Sequence, residues 1–473
     1  MKAPRPWTLL ALVVALLAWA GAVAYTVRSR DLVALQVAFV VYSAYGAALQ
    51  LLGVMGGRRP GQPQRPYRLP FVSVLVPARD EAAVIQDTLR SIGQLRYHDG
   101  QGRPRFEVVV LDDRSRDGTG ERAARVDLPV PVRVARVPDG APPGKAAVLN
   151  VGTEVARGQV LAVFDADARP EPDFLLRSVP LLLQPGVAAV QGRRRLYHRS
   201  GSVVARGQEH EFDVYQTVMQ RARERFGAHV LLGGNGMVVN RFALEAVGGW
   251  NPGALTEDID LAIRFHAAGW RVRYCEEAVV WEESVPSWSG LVRQRARWCE
   301  GVLRALVQHT PRLVRGHMSG LQKLDLLLFL TGSVVIPGAV FASYAYGMAA
   351  FLRGVLLPYY LLPLPRALPE AVTVGAFAVL AAALVLSAVV ELRARIWKVL
   401  AGMVAYGAFT VHPLISTPLA LVNYTRSVFT GRTCWWKTDH GSAPGTPPPQ
   451  LAWEQDGRVG EWLALGLYRR AVP

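Results

Sequence analysis

Cysteine is scarce in this chain: Cys275, Cys299 and Cys434 are the only three in 473 residues, at scattered positions. That excludes a disulfide framework and a cysteine-based zinc site. Charge is scarce too, with 19% charged residues against 51% hydrophobic, a balance tilted towards a membrane protein. No Gly-x-Gly-x-x-Gly follows the first strand-like run, which argues against a dinucleotide oxidoreductase. Gly144-Lys145 looks like half of a phosphate-binding loop. The spacing from Gly140 is one residue short, however, and Ala146 stands where Ser or Thr belongs, so a P-loop is rejected. His198, His210 and His229 lack metal-ligand spacing and read as solvated or core histidines. No nucleic-acid motif accompanies the net charge of +16, so that charge suits anionic lipid better than DNA or RNA.

What the chain does have is long apolar runs at both ends. Trp7–Val27 and Leu32–Met55 each hold about 20 residues, enough to cross a hydrocarbon core of about 30 Å as a helix. The first also has features of a secretory signal, with Lys2 and Arg5 ahead of it and Ala18-Trp19-Ala20 near its end. Its length and the second run that follows at once favour a span. Leu324–Leu352, Ala371–Val390 and Val399–Val422 are the C-terminal runs. Pro413 and Pro418 predict that the last is broken, re-entrant or interfacial. Arg58, Arg59, Arg65 and Arg68 crowd after the second run, which puts the central region in the cytoplasm, and Arg393, Arg395 and Lys398 share that side. The expected protein is integral to a bacterial-type inner or plasma membrane. The side of the C-terminal tail stays open.

The expected layout is two spans over 1–56, a basic linker over 57–69 and a cytoplasmic catalytic domain over 70–284. Interfacial helices over 285–323, spanning or re-entrant helices over 324–424 and a tail over 425–473 complete it. Within the central region, Phe71–Val76, Phe106–Leu111, Val132–Val137 and Val160–Phe164 read as strands, and Glu81–Ile92 and Lys145–Ala156 as helices. The alternation predicts an α/β sheet with helices on both faces. Ligands of such sheets bind beyond the carboxyl ends of the strands. Asp112 and Asp113 end one strand and Asp165 and Asp167 another, so both pairs point at one crevice.

Four strings carry chemistry. Asp165-Ala166-Asp167 offers two carboxylates, on the same side if the chain is extended, and one or two carboxylates suffice for a hard divalent cation that also binds phosphate oxygens. Alone, it reads as readily as a turn after a strand. Asp112-Asp113 offers acceptors for the N–H and O–H groups of a base or ribose, or caps a turn. Thr256-Glu257-Asp258 opens a helix over Ile259–Ala268 closed by Gly269. Thr256 or Asp258 could serve as its cap, and Asp258 as a general base. A helix N-terminus depresses a carboxyl pKa, so a base here needs burial or a neighbour such as Glu257 as compensation. Gln294, Arg297 and Trp298 share one helical face, with a cation suited to a diphosphate and a ring suited to a sugar. The same stretch also fits an interfacial amphipathic helix.

In this order the strings resemble the membrane-embedded branch of the family 2 glycosyltransferases, over about Val72–Gly301. The resemblance includes Val76-Pro77-Ala78-Arg79-Asp80-Glu81, where the family usually has Asn at position 80. It includes Gly144-Lys145-Ala146 with Leu149-Asn150, and Gly233-Gly234-Asn235-Gly236 through Gly248-Gly249-Trp250. It implies a GT-A fold (a Rossmann-like nucleotide-sugar domain) flanked by transmembrane helices, and inversion at the anomeric centre. By that resemblance Pro77, Glu81, Asp112, Asp113, Lys145 and Asp165 would hold a UDP-sugar. Asp165 and Asp167 would bind Mg²⁺ or Mn²⁺, Asp258 beside Glu257 would be the base, and Gln294, Arg297 and Trp298 would border acceptor and diphosphate. Trp435-Trp436-Lys437-Thr438 is loosely similar to a C-terminal motif of some polysaccharide synthases. The acceptor is either a lipid such as diacylglycerol or a growing β-glycan of the poly-N-acetylglucosamine or cellulose kind. Leu232-Gly233-Gly234-Asn235-Gly236 and Glu282-Glu283-Ser284 favour the lipid. The expected partners are thus a UDP-sugar, a lipid or glycan acceptor and membrane lipids; an inactive transferase-like membrane scaffold is the remote alternative.

Overall fold

Val72–Ala78 (β1) and Phe106–Asp112 (β2) are short runs rich in valine in which nearly every side chain is buried. Strands of this kind are stable when both faces of the sheet are covered. In the computed structural model, which describes residues 33–55, 68–197, 202–352, 367–392, 406, 409 and 411–430, they pair in parallel with Val74 opposite Val108. Val132–Arg136 (β3) extends the sheet beside β2, and Val160–Val163 (β4) beside β1, again in parallel. These are the four strands expected from the sequence. Arg169–Pro170 (β5), Val187–Tyr197 (β6), Met237–Asn240 (β7) and Arg271–Glu283 (β8) complete an eight-stranded sheet in the order β3-β2-β1-β4-β7-β6-β8-β5.

The α/β expectation is met by a mixed sheet, because β7 runs against both β4 and β6. That reversal brings the amino end of β7 to the carboxyl end of β4, where the Gly236 N–H donates to the Val163 carbonyl at 3.0 Å. Side-chain alternation splits the interior into two cores. Val74 and Val76 of β1 pack on one face with Ile85, Leu89 and Ile92. Leu75 packs on the other with Leu111, Leu149, Trp250 and Phe265. His229 is a core residue, fully buried and 4.3 Å from the ring of His266, and burial pushes its pKa well down.

The helix expected from Glu81 spans Ile85–Gly93. The chain before it is committed elsewhere: the Asp80 and Glu81 N–H groups donate to Ser115 Oγ and Thr119 Oγ1, and Asp80 Oδ1 accepts from the Arg116 N–H. Asp80 has φ of 54°. Asp and Asn tolerate that left-handed conformation better than other residues with a Cβ, which accounts for Asp in a place where the resembling family has Asn. The expected helix Lys145–Ala156 is found over Lys145–Val155.

Four further helices are predominantly apolar: Val33–Val54, Gly320–Leu352, Ala367–Leu392 and Pro413–Thr430. Among the described residues, Gly320–Gly338 is long and apolar enough to cross a membrane, whereas Val40–Val54 and Ala378–Glu391 are shorter apolar stretches. Within the expected run Val399–Val422, Pro413 opens a helix and Pro418 lies inside it, while most of 399–410 lies outside the described residues. Proline fits the first turn because the N–H it lacks has no intrahelical partner there. Trp7–Val27 and Trp435–Thr438 lie outside the described residues.

Buried ion pairs fasten these helices to the sheet domain. In helix Thr217–Phe226, Arg223 Nε donates to both oxygens of Asp325 and its Nη2 to Tyr45 Oη. Arg223 and Asp325 are 3% and 4% exposed, so neither charge has water as an alternative partner. Arg221 joins Glu276 of β8 to Glu391 of Ala367–Leu392. Asp325→Ala strands a buried guanidinium and is expected to cost about 3–5 kcal/mol. The apolar exchange of both residues, Arg223→Met with Asp325→Leu, should recover most of it, as read from thermal unfolding in detergent.

Candidate active site

Lys145 opens its helix directly after Gly144, whose φ of 110° swings the chain into the cleft. Its Nζ donates to Asp165 Oδ1 at 2.5 Å and to the Gly234 carbonyl at 2.9 Å, and lies 3.3 Å from Glu257 Oε1. One ammonium thus links the end of β4, the glycine string before β7 and the first turn of helix Glu257–Ala267. The nearby carboxylates hold its pKa above the ordinary lysine value despite burial. Gly234 has φ of +74°, and a Cβ there would lie 3.1 Å from Asp258 Oδ2 and 3.3 Å from Lys145 Nζ. Both the backbone conformation and the lack of space require glycine.

Asn235 is fully buried. Its Oδ1 accepts from the Asp165 N–H at 3.2 Å and its Nδ2 donates to Glu282 Oε2 at 2.8 Å. Gln191 of β6 supports it, donating to the Asn235 carbonyl and accepting from the Gly233 N–H. Gln191, Asn235 and Glu282 were not singled out as site residues from sequence. The available signal was an asparagine set between glycines and a pair of acids ending a long strand.

Asp165-Ala166-Asp167 does not run extended. The Ala168 N–H donates to the Asp165 carbonyl, closing a turn, so the alternation argument fails here. The two carboxylates still line the same cavity. Asp167 Oδ2 accepts from the Glu283 N–H at 2.9 Å. Burial, then the charges of Asp165 and Glu282, push the Asp167 carboxyl well above the usual carboxylate range. A pocket that raises a carboxyl in this way favours a cation. Among the described residues no group of three or more His, Cys, Asp or Glu is placed to hold a metal. Two hard oxygen donors nonetheless fit Mg²⁺ or Mn²⁺, which typically take one or two carboxylates and complete their shell with phosphate oxygens and water.

The paired aspartates at the end of β2 part company. Asp113 lines the cavity and pairs with Arg114 and, at 3.4 Å, with Arg79. Asp112 is turned into its own loop, where Oδ1 accepts from the Ser115 N–H, and a Cβ on Gly120 would lie 2.9 Å from its Oδ2. Asp112 is therefore absent from the lining, contrary to its expected place against a nucleotide. Pro77, Glu81, Asp113, Lys145, Asp165, Asp167, Glu257, Asp258, Gln294, Arg297 and Trp298 all border one cavity of about 2220 Å³.

Asp258 lies in the first turn of helix Glu257–Ala267, and its Oδ1 accepts from the Ile259 N–H at 2.8 Å. Burial, then the neighbouring Glu257 carboxylate, push its pKa up to about 7. This is the compensation that a base at a helix N-terminus needs. Asp260, one turn in, accepts from His309 Nε2 at 2.8 Å and from Arg264 Nε at 2.7 Å. His309 belongs to helix Trp288–Arg315, which also carries Gln294, Arg297 and Trp298. The pair therefore fixes the Asp258 helix against the Trp298 helix. Arg295, also on the lining, pairs with Glu211 and stacks 4.2 Å over the Trp298 ring. Arg297 faces the cavity with its Nε buried and, among the described residues, without a hydrogen-bond partner.

The profile described as "Glycosyltransferase like family 2" matches residues 70–301. A beta-monoglucosyldiacylglycerol synthase from Trichormus variabilis is 33% identical over 68% of this chain and 67% of its own. Another from Synechocystis sp. is 35% identical over 58% of this chain and 56% of its own. Among solved structures, a mannosyltransferase from Pyrobaculum calidifontis in complex with GDP-Man and Mn²⁺ superposes with a TM-score of 0.58 at 21% identity. That match covers 84% of this chain and 99% of the other. At that identity the match speaks for the fold, the GT-A arrangement that the sequence implied.

Helix Trp288–Arg315 approaches Thr256 at Gly301, where a Cβ would lie 2.2 Å from Thr256 Cγ2. Gly301→Ala is expected to push the helix off the Glu257–Asp258 turn at a cost of about 1–3 kcal/mol, seen as a lower melting temperature together with lost sugar transfer.

Proposed function

The chain belongs to the family 2 glycosyltransferases, and from that premise we propose that it is an inverting, metal-dependent hexosyltransferase that moves glucose from UDP-glucose to a lipid acceptor. The carrying observation is a single cavity that holds a raised carboxyl, Asp258, together with Lys145, Asp165, Asp167 and the unpartnered Arg297 Nε. The named relatives support glucose as the sugar and diacylglycerol as the acceptor.

In this reading the acceptor hydroxyl gives its proton to Asp258. Its oxygen forms the new bond to the anomeric carbon from the side opposite the diphosphate, and the bond from that carbon to the UDP oxygen breaks. Arg297 donates to the departing diphosphate, which matches a buried donor that has no acceptor among the described residues. Trp298 offers a flat face to the sugar, and Gln294 a hydrogen-bonding amide beside it. Asp113, Glu81 and Pro77 border the nucleotide, and Asp112 supports it indirectly by shaping the 113–119 loop. Asp165 and Asp167 would hold Mg²⁺ or Mn²⁺, which when bound supplies charge neutralisation of the diphosphate.

We place the sheet domain, 70–284, on the cytoplasmic side of a bacterial-type plasma membrane, with the 285–323 helix at the interface and the apolar helices within the bilayer. Basic residues after Met55 and the apolar stretch Gly320–Gly338 support this.

Asp258→Asn removes the proton acceptor with little change of volume, and turnover is expected to fall by about 10²–10⁴-fold. Retained turnover in the folded variant would overturn the assignment. The base works only when ionised. With Asp258 at about 7, kcat/KM should rise with pH by about tenfold per unit below that value and level off above it. UDP release with UDP-glucose and UDP-N-acetylglucosamine in lipid-containing detergent, with Mg²⁺ or Mn²⁺, followed by mass analysis, tests the acceptor. A lipid carrying one or two hexoses supports the reading, and a polymer ladder replaces it with processive glycan synthesis.

A further inference from the structure

The cavity is too large for the donor alone. Ordinary small-molecule pockets reach about 1,000 Å³, and this one measures about 2220 Å³. Its lining also changes character. Around Asp165 and Asp258 it is charged. Where it passes between helices Val33–Val54, Gly320–Leu352 and Ala367–Leu392, the lining includes Ala38, Leu328, Gly332, Ile336, Leu380 and Leu384. These side chains carry neither charge nor hydrogen-bonding atoms. Arg223, which also borders the cavity, is neutralised by Asp325 and does not charge this end. Ile336 is on the lining and 41% exposed. The wall is held in place: Tyr42 Oη and Thr331 Oγ1 hydrogen-bond at 2.7 Å, and a Cβ on Gly332 would lie 3.1 Å from the Tyr42 ring.

We infer that this aliphatic end of the cavity takes the hydrocarbon chain of the acceptor lipid, which enters sideways past Ile336 with its hydroxyl leading towards Asp258. The inference rests on the lipid-acceptor reading above and adds where the chain lies. A glycan is a poor occupant, because sugar hydroxyls leaving water need polar partners, and Tyr42, Tyr45 and Ser333 on this lining are already engaged with Thr331, Asp325 and the Leu330 carbonyl. An acyl chain needs none. Moving from bilayer to cavity, it exchanges one apolar environment for another, so the gain is one of position: the reacting hydroxyl is held at a fixed depth relative to the carboxylate.

The test is chain-length selectivity in the full-length protein. Leu328→Trp and Leu384→Trp narrow the passage without touching the catalytic groups. For a long-chain diacylglycerol, kcat/KM is expected to fall by about tenfold or more, while values for dioctanoylglycerol and the KM for UDP-glucose stay within about twofold. Equal losses for both chain lengths, or none, would overturn the inference and leave the acceptor assignment standing. Should the variants fail to fold, the unaltered protein serves with a diacylglycerol carrying a diazirine at the acyl terminus. Cross-links within 328–337 or 380–384 support the inference, and cross-links confined elsewhere overturn it. A polymer product with no glycolipid would remove the acceptor reading itself, and the inference with it.

Discussion

The Lys145 ammonium sits where the end of β4, the glycine string and the Glu257–Asp258 turn meet. Asp165, Asp167, Glu257, Asp258, Glu282 and Glu283 all border the same cavity, and like charges at such spacing oppose one another. Lys145 offsets the repulsion between two of the three chain segments involved. Asn235 acts on the remaining pair without charge, accepting from the Asp165 backbone and donating to Glu282. Arg194 lies 3.8 Å from Glu282, while the Asp167 and Asp258 carboxyls stay raised. That suits a site whose substrate is an anion carried with a divalent cation, and whose acceptor must lose a proton.

The sheet topology makes this concentration of carboxylates feasible. β1, β2 and β4 are parallel and end side by side, Ala78 opposite Asp112. β7 is reversed, so its first residues arrive at the edge that the others leave. The second wall comes from outside the sheet. Helix Trp288–Arg315 is drawn in by His309 on Asp260 and by the close approach at Gly301. The two walls of the cavity are thus on separate elements fastened by a few buried contacts.

Much of this was legible in the sequence because it follows from local chemistry. β1, β2 and β4 are continuous apolar runs, and their carboxyl ends place Asp113 and Asp165 without further information. The raised Asp258 carboxyl could be anticipated from its neighbour Glu257. Other features depend on contacts between distant residues. Asp112 and Asp113 are adjacent and chemically identical, and the loop contacts of Asp112 with Ser115 and Gly120 leave Asp113 to face the cavity. The turn at Asp165 is set by Asn235, seventy positions on. Gln191 and Glu282 lie on strands whose pairing no period in the sequence announces. The start of the helix at Ile85, rather than Glu81, reflects loop hydrogen bonds to Ser115 and Thr119.

The Arg223–Asp325 pair also orders events in time. The ribosome makes Arg223 about one hundred residues before its partner, and domains in general start to fold from the N-terminal side during synthesis. Until the helix that begins at Gly320 has emerged and docked, the nascent sheet domain holds a guanidinium that cannot be buried without penalty. Paired burial of Arg223 thus waits on the apolar helix. A chain truncated before that helix would leave Arg223 without Asp325.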